Sequence, residues 1–184
     1  MAANASLVTA GKPKVAGGIY YAPAGSTLPT DTSTALDNAF ILLGYISSDG
    51  VTNSNSPESS DITAWGGYTV RSEMTGRADT FQFTMIEAFN TDVLKVVYGD
   101  TKVSGTLSTG ITVTVGPHAL EDHAYVIEMI GTDNTAHRVV IPAGQVQSVG
   151  DVTYVDGSAV GYQVTINAEP DANGNTHYEY IKSA

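Results

Sequence analysis

The sequence predicts a mainly β domain carrying one short packed helix. Three observations predict it. Val, Thr and Tyr recur along the whole chain, which favours a pleated backbone. Two runs, around Phe81 and around Val164, alternate apolar and polar residues with a period of two. Only one segment, Asn90–Gly99, combines helical spacing with capping residues at both ends.

In chain order, residues 1–14 are small and polar and read as an N-terminal arm with little capacity to fold alone. Val15–Pro23 (VAGGIYYAP) reads as a first strand, loosened by Gly17 and Gly18, and the turn formers of AGSTLPTDTSTALD follow as a loop. Phe40–Ile46 (FILLGYI) is apolar at consecutive positions, the pattern of a strand covered on two sides. Residues 47–67 contain Ser, Asn, Asp and Gly with hardly an aliphatic, and read as a long polar loop. Loops beyond about 12–15 residues inside a compact domain are usually functional or disordered. YTVRSEM and DTFQFTMIE then read as strands, the second with Phe81, Phe83 and Met85 on one face against Thr80, Gln82 and Thr84.

The helix spans about residues 91–98. Asn90 or Thr91 caps it, Asp92 suits the positive end of its dipole, Val93, Leu94, Val97 and Tyr98 form its apolar stripe, and Gly99 ends it. Afterwards ITVTV, AYVIEMI and AHRVVI read as strands, the last two joined by the turn GTDN. In SAVGYQVTINA the alternation sets Val160, Tyr162, Val164, Ile166 and Ala168 against Gly161, Gln163, Thr165 and Asn167; the VDGS before it signals a hairpin. With no internal repeat and no shift of composition, residues 15–184 read as one domain.

The 184 residues are 42% hydrophobic and 15% charged, so the chain can build a core. No cysteine is present, which removes disulfides and thiolate metal sites. The net charge of −11 argues against gripping a nucleic-acid backbone, which takes clustered Lys and Arg, though not against lying close to DNA. The N-terminal seventeen residues have no continuous apolar run of the kind a secretory signal needs, and no stretch approaches the roughly 20 apolar residues of a membrane helix.

Chemistry-bearing patterns are sparse. HALEDH places His118, Glu121, Asp122 and His123 in a short loop, without ligand spacing typical of zinc. DANGN (Asp171–Asn175) sets oxygens at alternate positions but lacks the later glycine and bidentate glutamate of a calcium loop, and reads as a polar turn. Glu128, inside an apolar strand, reads as paired with an arginine or facing an interface. No nucleophile elbow or phosphate-binding glycine loop occurs, so neither an enzyme nor a cofactor site is expected. Trp65, the sole tryptophan, stands beside Gly66 and Gly67 near the end of the polar loop. A tryptophan there anchors the loop or contacts another molecule, unless it is buried within its own subunit.

The ordered set FILLGYISSDGVTNS, DITAWGGYTVRSEM and TFQFTMIEAFNTDVLKVVYG, covering roughly residues 15–100, resembles the major tail tube proteins of long flexible-tailed bacteriophages. The resemblance implies a β-sandwich or barrel-like fold with a flanking helix, and six copies closing into rings that stack as a hollow tube for DNA. It implies assembly in the host cytoplasm into the virion tail, alongside terminator, tape-measure and tail-tip proteins. Some members of that family carry an extra immunoglobulin-like C-terminal domain, which a chain of 184 residues is expected to lack; neither a membrane partner nor specific DNA binding is expected.

Carried onto this sequence, the resemblance makes the 47–67 segment a ring-stacking loop, with Ser47, Ser48, Asp49, Gly50, Val51, Asp61, Ile62, Trp65, Gly66 and Gly67 as contact residues. Trp65 would pin the base of that loop. Six copies would carry a charge of about −66, a lumen that repels phosphate, with Glu73, Asp79 and Glu128 as lumen acids. A β-sandwich adhesin or carbohydrate-binding module of a virion is the alternative; such modules expose several aromatics on one face, whereas the ten tyrosines here are scattered.

Overall fold

A computed structural model describes residues 3–183. Met1 and Ala2 of the expected arm, and Ala184, lie outside the described residues. The chain forms β1 (Lys12–Pro13), β2 (Ile19–Pro23), β3 (Ile41–Leu42), β4 (Ile46–Thr63), β5 (Thr69–Met85), α1 (Thr91–Tyr98), β6 (Val103–Thr106), β7 (Gly110–Val113), β8 (His123–Ile130), β9 (Ala136–Val149), β10 (Tyr162–Glu169) and β11 (Tyr178–Lys182). The architecture is mainly β and sandwich-like with one flanking helix, as the sequence predicts.

The main sheet runs β3-β2-β8-β9-β10-β5-β4, with antiparallel pairing throughout. β1 extends the β8 edge beyond β2, and β11 pairs with the first half of β9 where β10 pairs with the second. The change of partner falls at Ile141–Pro142, just before Gly144. Gly144 is required there, because a Cβ would stand 2.7 Å from the Ile166 side chain and 3.3 Å from the Tyr125 ring. The sheet does not close, and a single core gathers Ile19, Phe81, Phe83, Tyr125, Ile141, Val164 and Ile166 from five strands.

The alternating runs fold as their periodicity demands. Phe81, Phe83 and Met85 are buried on β5, as are Tyr162, Val164, Ile166 and Ala168 on β10, while Gln82 and Gln163 face solvent. The helix also matches: the Asn90 side chain accepts the Asp92 N–H, Gly99 closes the C-terminus with φ of 100°, and Val93, Leu94, Val96 and Val97 enter the core.

β8 is buried on both faces from His123 to Glu128. Its outer face is covered by the loop after β2, in which Thr32 is buried, and the cover is tied down by one arginine. Arg138 Nη1 donates to the carbonyl oxygens of Asp31 (2.6 Å) and Thr34 (2.8 Å), while Nε and Nη2 donate to Glu128. The Asp31 carboxylate shapes that loop by accepting the N–H groups of Thr34 (2.5 Å) and Ser33 (2.7 Å). These hydrogen bonds to its charged form, the Thr34 bond first, hold it well below the usual carboxylate range.

Several sequence expectations give way to tertiary context. Phe40–Ile46 is not one doubly covered strand: Ile41–Leu42 pair with β2 and Ile46 already belongs to β4, Ile41 is exposed, and within the segment Leu43 is the fully buried residue. YTVRSEM and DTFQFTMIE are one strand, not two. Val115 falls outside β7 and is exposed. The VDGS turn lies in a long connection between β9 and β10 instead of closing a tight hairpin, since Val149 already pairs with Val164. The arm contributes Lys12 and Pro13 to the sheet, and β11 carries too little alternation to stand out in sequence.

Candidate functional site

The largest departure concerns residues 47–67, expected as a loop. They form most of β4, an 18-residue strand paired with β5 almost to its tip. The sequence hides this because both faces of the outer part are wet, so no alternation of hydropathy marks it. Backbone pairing alone makes it a strand. Pro57 is tolerated because β4 is an edge strand, where a missing N–H costs no ladder bond. Register shifts after Glu58 and after Ile62 leave Thr75 and Val70 as bulged residues on β5.

The turn at the apex is built by Ala64–Tyr68. The Ala64 N–H donates to the Tyr68 carbonyl (2.8 Å), and the Gly67 N–H donates to the Ala64 carbonyl (3.0 Å). Gly66 and Gly67 take φ of 110° and 88°, conformations in which a side chain would be strained. Trp65 therefore stands at the apex, fully exposed at 106% of its reference area, and not at the base of a loop. Burial within its own subunit is likewise overturned. Ile62, Tyr68, Val70 and Met74 are also exposed along the outer hairpin; the register pairs Ile62 with Arg71 and Met74 with Ser59, which puts Ile62 and Met74 on opposite faces of the ribbon.

The body releases the hairpin at Asp79. This carboxylate is 1% exposed; Oδ1 accepts Asn53 Nδ2 (2.8 Å), and Oδ2 accepts Thr176 Oγ1 (2.5 Å) and faces His177 Nδ1 (2.5 Å). Burial opposes its ionisation, but the hydrogen bonds from Thr176, Asn53 and His177 outweigh that, and the carboxyl lies below its ordinary range. His177 packs edge-on against Phe81 at 5.2 Å and approaches Glu179 at 3.4 Å. One buried carboxylate thus fastens β4, β5 and the turn leading to β11 at the hairpin root.

The expected stacking residues do not form one site. Ser47–Gly50 protrude beside the body, because the register jumps from Ile46–Met85 to Val51–Phe83. They separate two surface grooves: one of about 550 Å³, lined by Lys12, Gly18 and Met129 among others, and one of about 480 Å³ bordered by Asp151 and Gln163. Asp61, Ile62, Trp65, Gly66 and Gly67 lie at the other end of β4, roughly 40 Å away by strand rise.

The lumen acids are corrected as well. Asp79 is enclosed at the hairpin root, and Glu128, 6% exposed, is paired with Arg138 and lies 3.5 Å from Lys14. Neither can present charge to a channel. Glu73 alone is exposed, 3.0 Å from Arg71 on the hairpin. The arginine partner expected for Glu128 is present.

In the HALEDH segment, His118 Nε2 lies 2.6 Å from the Tyr98 carbonyl and Glu121 accepts the Asp100 N–H, so the segment latches the end of α1. His123 is buried against Tyr21 and Tyr125, its Nε2 3.2 Å from Asp100 Oδ2. In DANGN, Asp171 Oδ1 accepts the N–H groups of Asn173 and Asn175, closing a turn around Gly174.

Sequence reasoning missed an apolar depression beside α1. A cavity of about 290 Å³ is lined by Phe89, Ile111, Tyr154, Val160 and Tyr162, with an adjoining groove of about 580 Å³ that reaches Leu107. Phe89 (74%), Leu107 (71%) and Tyr154 are exposed. Burial pushes the Tyr162 hydroxyl up to about 12, with Tyr98 and Tyr154 adding to the shift. No sequence signal announces this depression, because its residues come from four separate connections and strands.

The candidate site is thus a long hairpin projecting from a sandwich-like body. The family model described as phage tail tube protein matches residues 1–184, and the chain belongs to that family. It is a structural protein of the virion tail. Among solved structures, the chain is similar to one titled as the cryo-EM structure of the anti-feeding prophage cap, the tube-terminating cap. Identity is 9%, both chains are covered completely, and the TM-score is 0.46. No curated protein sequence matches.

Proposed function

We propose that six copies of this chain close into a ring, that rings stack into a tube, and that DNA passes through its lumen without being held. The single observation carrying this reading, within the family shown above, is the projecting hairpin with its unprotected apolar apex. An isolated two-stranded ribbon is marginal in water, and an exposed tryptophan with further exposed apolar side chains along the hairpin adds to the cost. Contact with further copies removes both penalties. The unpaired outer edge of β4 supplies a second joining surface, since an edge strand leaves backbone donors and acceptors free to pair.

The charge supports passage of DNA. With −11 per copy and no basic cluster, an assembled ring repels phosphate from every side. The role is architectural, so no catalytic residue is assigned. Assembly takes place in the host cytoplasm, with terminator, tape-measure and tail-tip proteins as the further partners.

Negative-stain microscopy of the concentrated protein tests the reading. Tubes or six-fold rings are expected, and shortening the hairpin by removing residues 55–78 behind a two-residue turn should leave a folded body that no longer forms tubes. A wild-type chain that stays monomeric even when offered pre-formed tail tips would refute it, as would tubes of unchanged length and yield from the shortened variant.

A further inference from the structure

The hairpin apex and the apolar depression beside α1 lie at opposite ends of the same strand pair. In the β5–β10 ladder, Asn167 pairs with Thr80 at one end and Tyr162 with Met85 at the other. The hairpin departs at the Thr80 end, directly past Asp79. The depression sits at the Met85 end: Phe89 follows β5 within a few residues, while Val160 just precedes β10 and Tyr162 opens it. Knob and hole are therefore separated along one direction, and among the described residues nothing covers Trp65, Phe89 or Leu107.

Their sizes also correspond. An apolar cavity of ~150 Å³ holds a benzene ring, so the 290 Å³ space lined by Phe89, Ile111, Tyr154, Val160 and Tyr162 accommodates an indole. The adjoining groove reaching Leu107 leaves room for Tyr68 or Ile62 beside it. Charge favours the same match. The hairpin carries Glu58, Asp61 and Glu73 against Arg71 and Arg77 and is close to neutral, so nearly all of the net −11 lies on the body. Body-to-body approach is repelled, and the hairpin is the element that can dock on a second body with least repulsion.

We infer that Trp65 of one copy inserts into the depression between Phe89, Tyr154 and Val160 of a second copy. This rests on the assembly reading above and assigns the receptor surface within it. The contact joins two different patches, so it is head to tail: each copy offers a free apex and a free depression to further copies. With 17 residues in β5, at about 3.3 Å each, the repeat between copies along that direction is on the order of 50 Å.

Two features of the sequence make this directly testable. Trp65 is the only tryptophan, so its fluorescence reports the apex alone, and the chain has no cysteine, so introduced thiols are unique. On self-association, followed by sedimentation, the emission of Trp65 should shift to the blue and its quenching by acrylamide should fall several-fold. Phe89→Asp and Leu107→Asp, both at exposed positions, should keep the wild-type circular dichroism while losing the shift. A Trp65→Cys, Leu107→Cys chain treated with a short bismaleimide should give a ladder running well beyond dimers.

Tubes in which Trp65 remains fully quenchable, or in which both aspartate variants retain the blue shift, overturn this docking and leave the tube reading standing. A ladder that ends at dimers overturns its head-to-tail character. A wild-type chain that never associates under any of these conditions removes the tube reading and the docking with it.

Discussion

Replacing Arg138 with methionine removes the one cation shared by Glu128 and the loop that covers the outer face of β8. Four contacts go at once: two hydrogen bonds to Glu128 and two to the carbonyls of Asp31 and Thr34. The side chains of Arg138 and Glu128 are 4% and 8% exposed, so the carboxylate left behind is desolvated. Breaking such a pair from one side costs roughly 3–5 kcal/mol. Lys14 at 3.5 Å, itself 41% exposed, partly compensates Glu128 and places the expectation near the lower end, about 3 kcal/mol. For a chain of this size that lowers Tm by roughly 6–12 °C. Arg138→Met combined with Glu128→Leu removes the stranded carboxylate and should recover a large part of the loss, while the Asp31 and Thr34 carbonyls still lack their donor. Far-UV circular dichroism during heating or urea titration, at concentrations where the chain is monomeric, reads both values. Trp65 fluorescence does not, because that ring is already in water before unfolding. A single variant melting within about 2 °C of wild type, or a double variant as unstable as the single one, would refute this account of the ion pair.

Asp79→Asn should destabilise the body by about 1–3 kcal/mol at neutral pH, since the amide cannot accept from Thr176, Asn53 and His177 together. Because the folded carboxyl lies below its ordinary range, its stabilisation is complete above the unfolded value, near pH 4, and is lost as pH falls through the folded value. Urea midpoints measured from pH 6 downward should converge for wild type and Asp79→Asn; a constant gap would exclude the linkage. Gly144→Ala should cost about 1–3 kcal/mol through overpacking, because the new Cβ meets the Ile166 Cγ2 methyl at 2.7 Å; a thermal melt indistinguishable from wild type would refute it.

The sequence by itself determined the body. Phe81, Phe83 and Met85, and Tyr162 through Ala168, alternate because one face of each strand must enter a core, and a period of two records that obligation directly. Asn90 and Gly99 marked the helix ends because capping is local chemistry, decided within a few residues. Tertiary structure alone decided the rest. Residues 47–63 are a strand only because β5 lies alongside, and a ribbon wet on both faces leaves no periodic trace in composition. It also placed Trp65 at an apex, enclosed Asp79 and Glu128 where the resemblance offers them as lumen acids, and assembled the depression beside α1 from segments distant along the chain. Which face a charged or aromatic residue meets depends on pairings dozens of residues away, and those pairings are settled by the packing of the whole chain, which no local pattern records.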